Sequence, residues 1–247
     1  MDRLIYTAVS GMNASLNRER VIASNMANAQ TIGFKAEILQ ATPTTLEGPQ
    51  IEVRAMTNTE VSGASMKEGE ITQTGHALDV ALQGDAMLAV QGPDGQESYT
   101  RRGDLSIGVT GVLENGEGLP VLGENGPVTI PPGAKVTIAP DGGLLIADPA
   151  TPDEPPQRVD RLKLVSTTGT QISKNLSGQF RVAGGGVLPV DENARLIPGA
   201  LEKSNVSPSE VLVEMISAQR LFDMRTKLVQ TASQLDEAGA RLMRIDS

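Results

Sequence analysis

The 247-residue sequence contains no cysteine and no tryptophan, one histidine, two tyrosines and three phenylalanines. Without cysteine there is no disulfide framework, no thiolate nucleophile and no thiolate metal ligand. A single histidine, His76, rules out histidine-paired catalytic triads and His-rich metal sites by count. Aromatic residues make up 2% of the chain, too few for the stacking platforms that hold single-stranded nucleic acid. No apolar run approaches the roughly 20 residues that span a bilayer, so membrane insertion is not expected. The opening Met1-Asp2-Arg3-Leu4 lacks the basic and apolar regions of a cleavable signal. If the protein leaves the cytoplasm, another export route carries it.

Charge is unevenly spread. The net charge is −9, yet residues 1–35 carry +2 and residues 201–247 carry −1, which leaves −10 on residues 36–200. Nucleic-acid backbones need clustered Lys and Arg, so an acidic middle excludes them as partners. The carboxylates Glu68, Glu70, Asp79 and Asp85 match no calcium loop and read as solvated strand faces. Gly184-Gly185-Gly186 lacks the strand-to-helix context of a phosphate loop. Arg102-Gly103-Asp104 reads as a chance turn, and His76 as a solvent-facing turn residue. No catalytic, cofactor-binding or metal-binding constellation emerges.

What the sequence does contain falls into three parts: 1–35, 36–200 and 201–247. In the first, Ile5, Val9, Met12, Leu16 and Met26 recur at helical, near-heptad spacing, predicting a helix from Asp2 to about Asn28. The same pattern fits a surface helix packed on its own domain. The middle part holds every glycine except Gly11, Gly33 and Gly239, and every proline except Pro208. Leu78, Val80 and Leu82 alternate with polar or small residues, predicting a half-buried strand. Met87 to Val90, Val159 to Val165 and Phe180 to Val182 read as further strands. Val136 to Ile138 and Leu144 to Ile146 flank Pro140-Asp141-Gly142-Gly143 as a hairpin. The Pro-rich acidic loop Asp148 to Gln157 is expected to be exposed. Many short strands with Gly/Pro punctuation predict an antiparallel β domain.

The last part returns to helix. Ser207-Pro208-Ser209-Glu210 supplies an N-cap serine, proline at the first helical position and a capping glutamate. The helix runs to about Ile245. Leu221, Leu228, Leu235 and Leu242 repeat every seven residues, and Met215, Phe222 and Val229 form a second row beside them. Between the helix and the β domain at the other end stands an unusual segment, Ser24-Asn25-Met26-Ala27-Asn28-Ala29-Gln30-Thr31-Ile32-Gly33-Phe34-Lys35. It places two amides, Asn25 and Asn28, at the end of the helix, with Gly33 as a stop.

That segment resembles the N-terminal signature of the axial proteins of the bacterial flagellum, and most closely the basal-body rod subunits. Leu201-Glu202-Lys203-Ser204-Asn205-Val206, followed by Glu214-Met215-Ile216 and Gln219-Arg220-Leu221-Phe222, is similar to the C-terminal signature. Thr74-Gly75-His76-Ala77-Leu78-Asp79-Val80-Ala81 and Tyr99-Thr100-Arg101-Arg102-Gly103 fit the middle. One departure is Gly84-Asp85-Ala86-Met87-Leu88, where members often carry Gly-x-Gly-Phe-Phe. Length and the opening Met1 to Ala8 point to the proximal rod, with the distal rod as the nearest alternative.

The resemblance implies a mainly β, mixed fold: an antiparallel β domain between terminal helices that pack together as a coiled-coil-like core. It implies a structural subunit that transmits torque from the membrane ring towards the hook, in a rod crossing the periplasm. The implied partners are copies of itself, other rod subunits and the flagellar type III export apparatus. The implied assembly surface is Ile5, Val9, Met12, Leu16, Asn25, Met26, Asn28, Met215, Leu221, Phe222, Leu228, Leu235 and Leu242. Thr31, Gly33 and Phe34 form a signature turn that leads the chain outward, and the asparagine amides would fix register by bonding across helices. A dimeric all-β module binding carbohydrate or peptide is the alternative of another class, disfavoured by the scarcity of aromatics.

Overall fold

The computed structural model describes residues 2–45, 55–147, 155–175 and 177–245. The side chains of Ile5, Leu235 and Leu242 lie outside the described set, as does most of the loop Asp148 to Gln157. The chain forms two compact units. One comprises Met1–Ala27, Glu37–Ser62 and Ser207–Ser247; the other comprises Asn28–Ala36 and Gly63–Val206.

The first unit holds two helices, α1 (Asp2–Ala27) and α2 (Pro208–Ile245), both with the bounds that apolar spacing predicts. α2 begins at its proline, whose missing N–H costs nothing in a first turn. The Val211 amide donates to the Ser207 carbonyl at 3.0 Å, and Glu210 places negative charge on the positive end of the helix. The two helices contact each other, and α1 also packs on the strand Glu37–Thr45.

The second unit is a mainly β body in which every described strand pairing is antiparallel. Its centre is a five-stranded sheet in the order Leu164–Ser166, Ala86–Gln91, Glu97–Thr100, Phe180–Val182, Ile172–Lys174. The strand Ala86–Gln91 is buried along nearly its whole length. Side chains of a strand alternate between faces, so its odd and even residues feed two separate cores. Leu88 and Val90 join Val80, Leu82, Leu113, Leu144 and Leu164 on one side. Met87 and Ala89 join Tyr99, Val165, Phe180 and Leu188 on the other. An uninterrupted apolar run is what such a two-sided strand requires.

The hairpin across Pro140 to Gly143 forms as expected, with Val136 opposite Ile146 and Ile138 opposite Leu144. Two local expectations change. Val80, Ala81 and Leu82 are all buried, because the strand is covered on both faces rather than one. The run Val159 to Val165 divides into Gln157–Arg161 and Leu164–Ser166, which belong to different sheets.

Tyr99 gives this core a pH-dependent signature. It is fully buried, and its hydroxyl oxygen accepts the Leu188 amide at 2.6 Å. Burial pushes its pKa from 10.0 up to about 12, because the tyrosinate is poorly solvated there. Below pH 10 both folded and unfolded chains hold this proton. Between 10 and about 12 the unfolded chain releases it first, so this group lowers stability as pH rises through that window. Chemical denaturation of wild type and Tyr99→Phe across the window tests this. The wild type should lose more stability than the variant over the interval, and parallel curves would contradict the assignment.

Candidate functional site

The signature segment organises the second unit. Past the end of α1, Thr31 donates its amide to the Asn28 carbonyl and its hydroxyl to the Asn28 side-chain oxygen, each at 3.1 Å. Gly33 follows in the left-handed region, at φ +67°, and its amide donates to the Glu202 carbonyl at 2.8 Å. A Cβ on Gly33 would lie 2.5 Å from the backbone of Arg101 and Arg102. Glycine is therefore required twice, for its backbone angle and for this close approach. The Phe34 ring lies under the Lys174 ammonium, 3.7 Å from the ring centroid, a cation–π arrangement.

The next residue, Lys35, is 1% exposed and donates to Glu202 Oε1 and to the Lys67 carbonyl, both at 2.7 Å. Arg101, also 1% exposed, meets the second oxygen of the same carboxylate at 2.7 Å through Nε and Nη2. Nη1 donates to the carbonyls of Gly84 and Ala86 and Nη2 to that of Leu82, so each of the three guanidinium nitrogens is used. Glu202 is 1% exposed and accepts the Gly69 amide at 2.8 Å as well. Burial holds the Lys35 ammonium below its usual pKa, against the opposing pull of the Glu202 carboxylate. Two buried cations thus share one buried anion.

Asn205 completes the join. Its side-chain oxygen accepts the Ala36 amide at 2.8 Å, and its amide nitrogen donates to the Ser65 and Lys67 carbonyls at 2.8 and 2.9 Å. All three sequence motifs therefore contribute to one place: Gly33 and Lys35, Arg101, and Glu202 with Asn205. Lys35, Arg101, Glu202 and Asn205 were inside the motifs, but nothing in the sequence marked their charges or amides as buried.

In the helical unit Asn25 of α1 bonds to the start of a strand. Asn25 takes both backbone groups of Glu37: its nitrogen donates to the carbonyl at 3.1 Å and its oxygen accepts the amide at 2.8 Å. This side chain imitates a strand partner at the start of Glu37–Thr45. The covered positions of α2 between 211 and 230 are Val211, Met215, Ala218, Leu221, Phe222, Arg225, Thr226 and Val229. Within them Val211, Met215, Ala218, Phe222, Arg225 and Val229 are spaced alternately by four and three. Arg225 donates to the Gly11 carbonyl and the Ser15 hydroxyl of α1. Met12, Met26 and Leu221 are half-buried, whereas Val9 is 45%, Leu16 47% and Leu228 68% exposed. Leu212, Val213, Ile216 and Met224 add to the exposed apolar surface of α2.

A cleft of about 450 Å³ lies between the helices and the strand, with Arg18, Asn25, Glu214 and Arg225 in its lining. It pairs no nucleophile with a base. His76 is exposed, and Asp79, expected on a solvated face, is instead buried and accepts the Thr74 hydroxyl. Among the described residues there is no cluster of His, Asp or Glu able to hold a metal, and no helix long and apolar enough to cross a membrane.

Residues 5–35 match the family model described as "Flagella basal body rod protein". Residues 81–146 match "Flagellar hook protein FlgE/F/G D1 domain", and residues 197–242 match "Flagellar basal body rod FlgEFG protein C-terminal". The chain is 39% identical over 251 residues to the flagellar basal-body rod protein FlgF of Salmonella typhimurium (strain LT2), covering 98% of this chain and 99% of that one. It is 40% identical over 247 residues to FlgF of Escherichia coli K12, covering 97% and 96%. To the rod protein FlgG of Borreliella burgdorferi it is 29% identical over 262 residues, covering 95% and 96%.

Gly33→Ala and Gly75→Ala separate the two demands on the signature glycine. Both glycines have positive φ, but a Cβ on Gly75 would meet nothing within 4 Å. Gly75→Ala should cost about 1 kcal/mol, and Gly33→Ala about 2–4 kcal/mol because backbone must also move. Urea denaturation of both variants checks this, and equal losses would contradict the role given to the close approach.

Proposed function

The chain belongs to the flagellar basal-body rod protein family, and we propose that it builds the proximal part of the rod. It is a structural rod subunit, not an enzyme, as its relatives are rod proteins over nearly their whole length. The observation that carries the proximal reading is the identity of 39–40% to FlgF against 29% to FlgG of Borreliella burgdorferi. A distal rod subunit is the second reading, favoured by the matching length and coverage of the FlgG relative.

In this reading α1 and α2 pack in a coiled-coil-like manner and present their outer faces to neighbouring subunits. The alternating four–three spacing of Val211, Met215, Ala218, Phe222, Arg225 and Val229 among the covered positions supports the first part. Val9, Leu16, Leu212, Ile216, Met224 and Leu228, exposed and apolar on the two helices, support the second, since contiguous exposed apolar surface marks interaction sites. Thr31, Gly33 and Phe34 serve the turn, and Ile5, Met26, Asn28, Leu235 and Leu242 belong to the proposed assembly surface with the residues above. The subunit is delivered by the flagellar type III export apparatus. It joins copies of itself and other rod subunits in a shaft crossing the periplasm, and passes torque towards the hook.

Leu228→Asp tests the assembly surface. Leu228 is 68% exposed in the single chain, so the variant should keep its stability within about 0.5 kcal/mol. In an assembled rod the carboxylate would be desolvated at a cost of several kcal/mol, roughly 2–7, and motility of cells carrying only this variant should be lost. Gln171→Asp, on the exposed surface of the β unit, should leave swimming intact. Normal swimming by Leu228→Asp cells would remove the leucine face from the assembly surface.

A further inference from the structure

We propose that Glu202 is the clasp of the β unit, holding its incoming and outgoing chain segments together by serving as the shared counter-charge of Lys35 and Arg101. The incoming segment, Asn28–Ala36, is tied to the carboxylate by Lys35 and to the Glu202 carbonyl by the Gly33 amide. The outgoing segment carries the carboxylate itself and, three residues on, Asn205, which accepts the Ala36 amide and donates its own amide to the Phe34 carbonyl. Arg101 belongs to the interior of the unit, where it grips the carbonyls of Leu82, Gly84 and Ala86. The carboxylate therefore adds a charged fastening to two ends that backbone and amide bonds already join, and ties both to Arg101.

The charge count makes the clasp cooperative. Lys35, Arg101 and Glu202 together carry one excess positive charge, in a site where each group is 1% exposed. Removing the carboxylate leaves two cations with no anion between them, and an ammonium or guanidinium without a counter-charge does not stay buried. Lys35 is the one that can leave, because its ammonium makes two hydrogen bonds from the incoming segment while the Arg101 guanidinium makes four, with an ion-pair contact besides. Its departure takes the incoming segment with it, and the outgoing segment loses Gly33 and Ala36 as partners. Both ends then open as one unit while the central sheet stays closed. The clasp also cannot close before residue 202 is present, since its partners stand 167 and 101 residues earlier in the chain.

Hydrogen exchange on the full chain tests this. In Glu202→Gln the amides of Gly33, Ala36, Gly69, Lys203 and Asn205 should exchange together, faster by on the order of tenfold or more. Ala89 and Gln91, bonded within the sheet region to Lys163 and Pro120, should keep their protection. In Lys35→Met, which leaves a neutral Arg101–Glu202 pair, Ala36 should be released while Lys203 and Gly69 stay protected. The double variant Lys35→Met/Glu202→Gln should open less than the sum of the single effects, because removing Lys35 relieves the excess charge. Additive effects, opening of one end only in Glu202→Gln, or unchanged exchange would each overturn the proposal. If Glu202→Gln unfolds throughout, Lys35→Met decides: protection at Lys203 and Gly69 sustains the clasp, and its loss there overturns it.

Discussion

One buried carboxylate governs how the β unit is closed. Glu202 stands between Lys35 and Arg101, each 2.7 Å away, and the three lie at positions that local chain structure could never bring together. Taking such charges out of water costs several kcal/mol per ion, and only good geometry with satisfied hydrogen bonds offsets it. Here the geometry is tight on every side: Arg101 makes four hydrogen bonds and an ion-pair contact, and the Gly69 amide reaches the carboxylate as well. An arrangement of this kind adds little net stability over an apolar core. Gly33 can approach the Arg101 backbone beside this site only because it has no Cβ.

Much of this architecture is legible in the sequence, and the reasons differ by element. The two helices are read to within a residue or so because apolar spacing and the Ser207-Pro208 start are local signals. The Val136–Ile146 hairpin is read because its turn residues lie between its strands. The buried trio is not, because a lysine paired 167 residues away looks the same in sequence as one in water. The burial of Asp79 is hidden for the same reason. The division of Val159 to Val165 between two sheets depends on long-range pairing, which short apolar runs do not encode.

The helical unit shows a subtler version of this limit. A regular leucine row every seven residues draws attention to Leu221, Leu228, Leu235 and Leu242, yet the covered row beside it runs through Val211, Ala218 and Arg225. Small and charged residues at those positions conceal it from a reading based on hydrophobicity. Alanine and glycine allow close approach, and an arginine lays its apolar stem along a neighbour while its head finds oxygen atoms. Arg225 does this against Gly11 and Ser15. Of that row Leu221 is half-buried and Leu228 is left outward, where a lone chain gains nothing from it and a polymer would. Asn25, meanwhile, secures the first residue of a strand rather than a second helix.

The central claim is that this outward apolar face becomes buried between subunits of a rod. The absence of cysteine permits a direct measurement: Leu228→Cys introduces the sole thiol of the chain, and its reaction with a maleimide reports its access to solvent. The account predicts rapid labelling of the free chain, in which Leu228 is 68% exposed, and strong protection in isolated basal bodies from motile cells carrying the variant. Equal labelling of the free and assembled protein would contradict it.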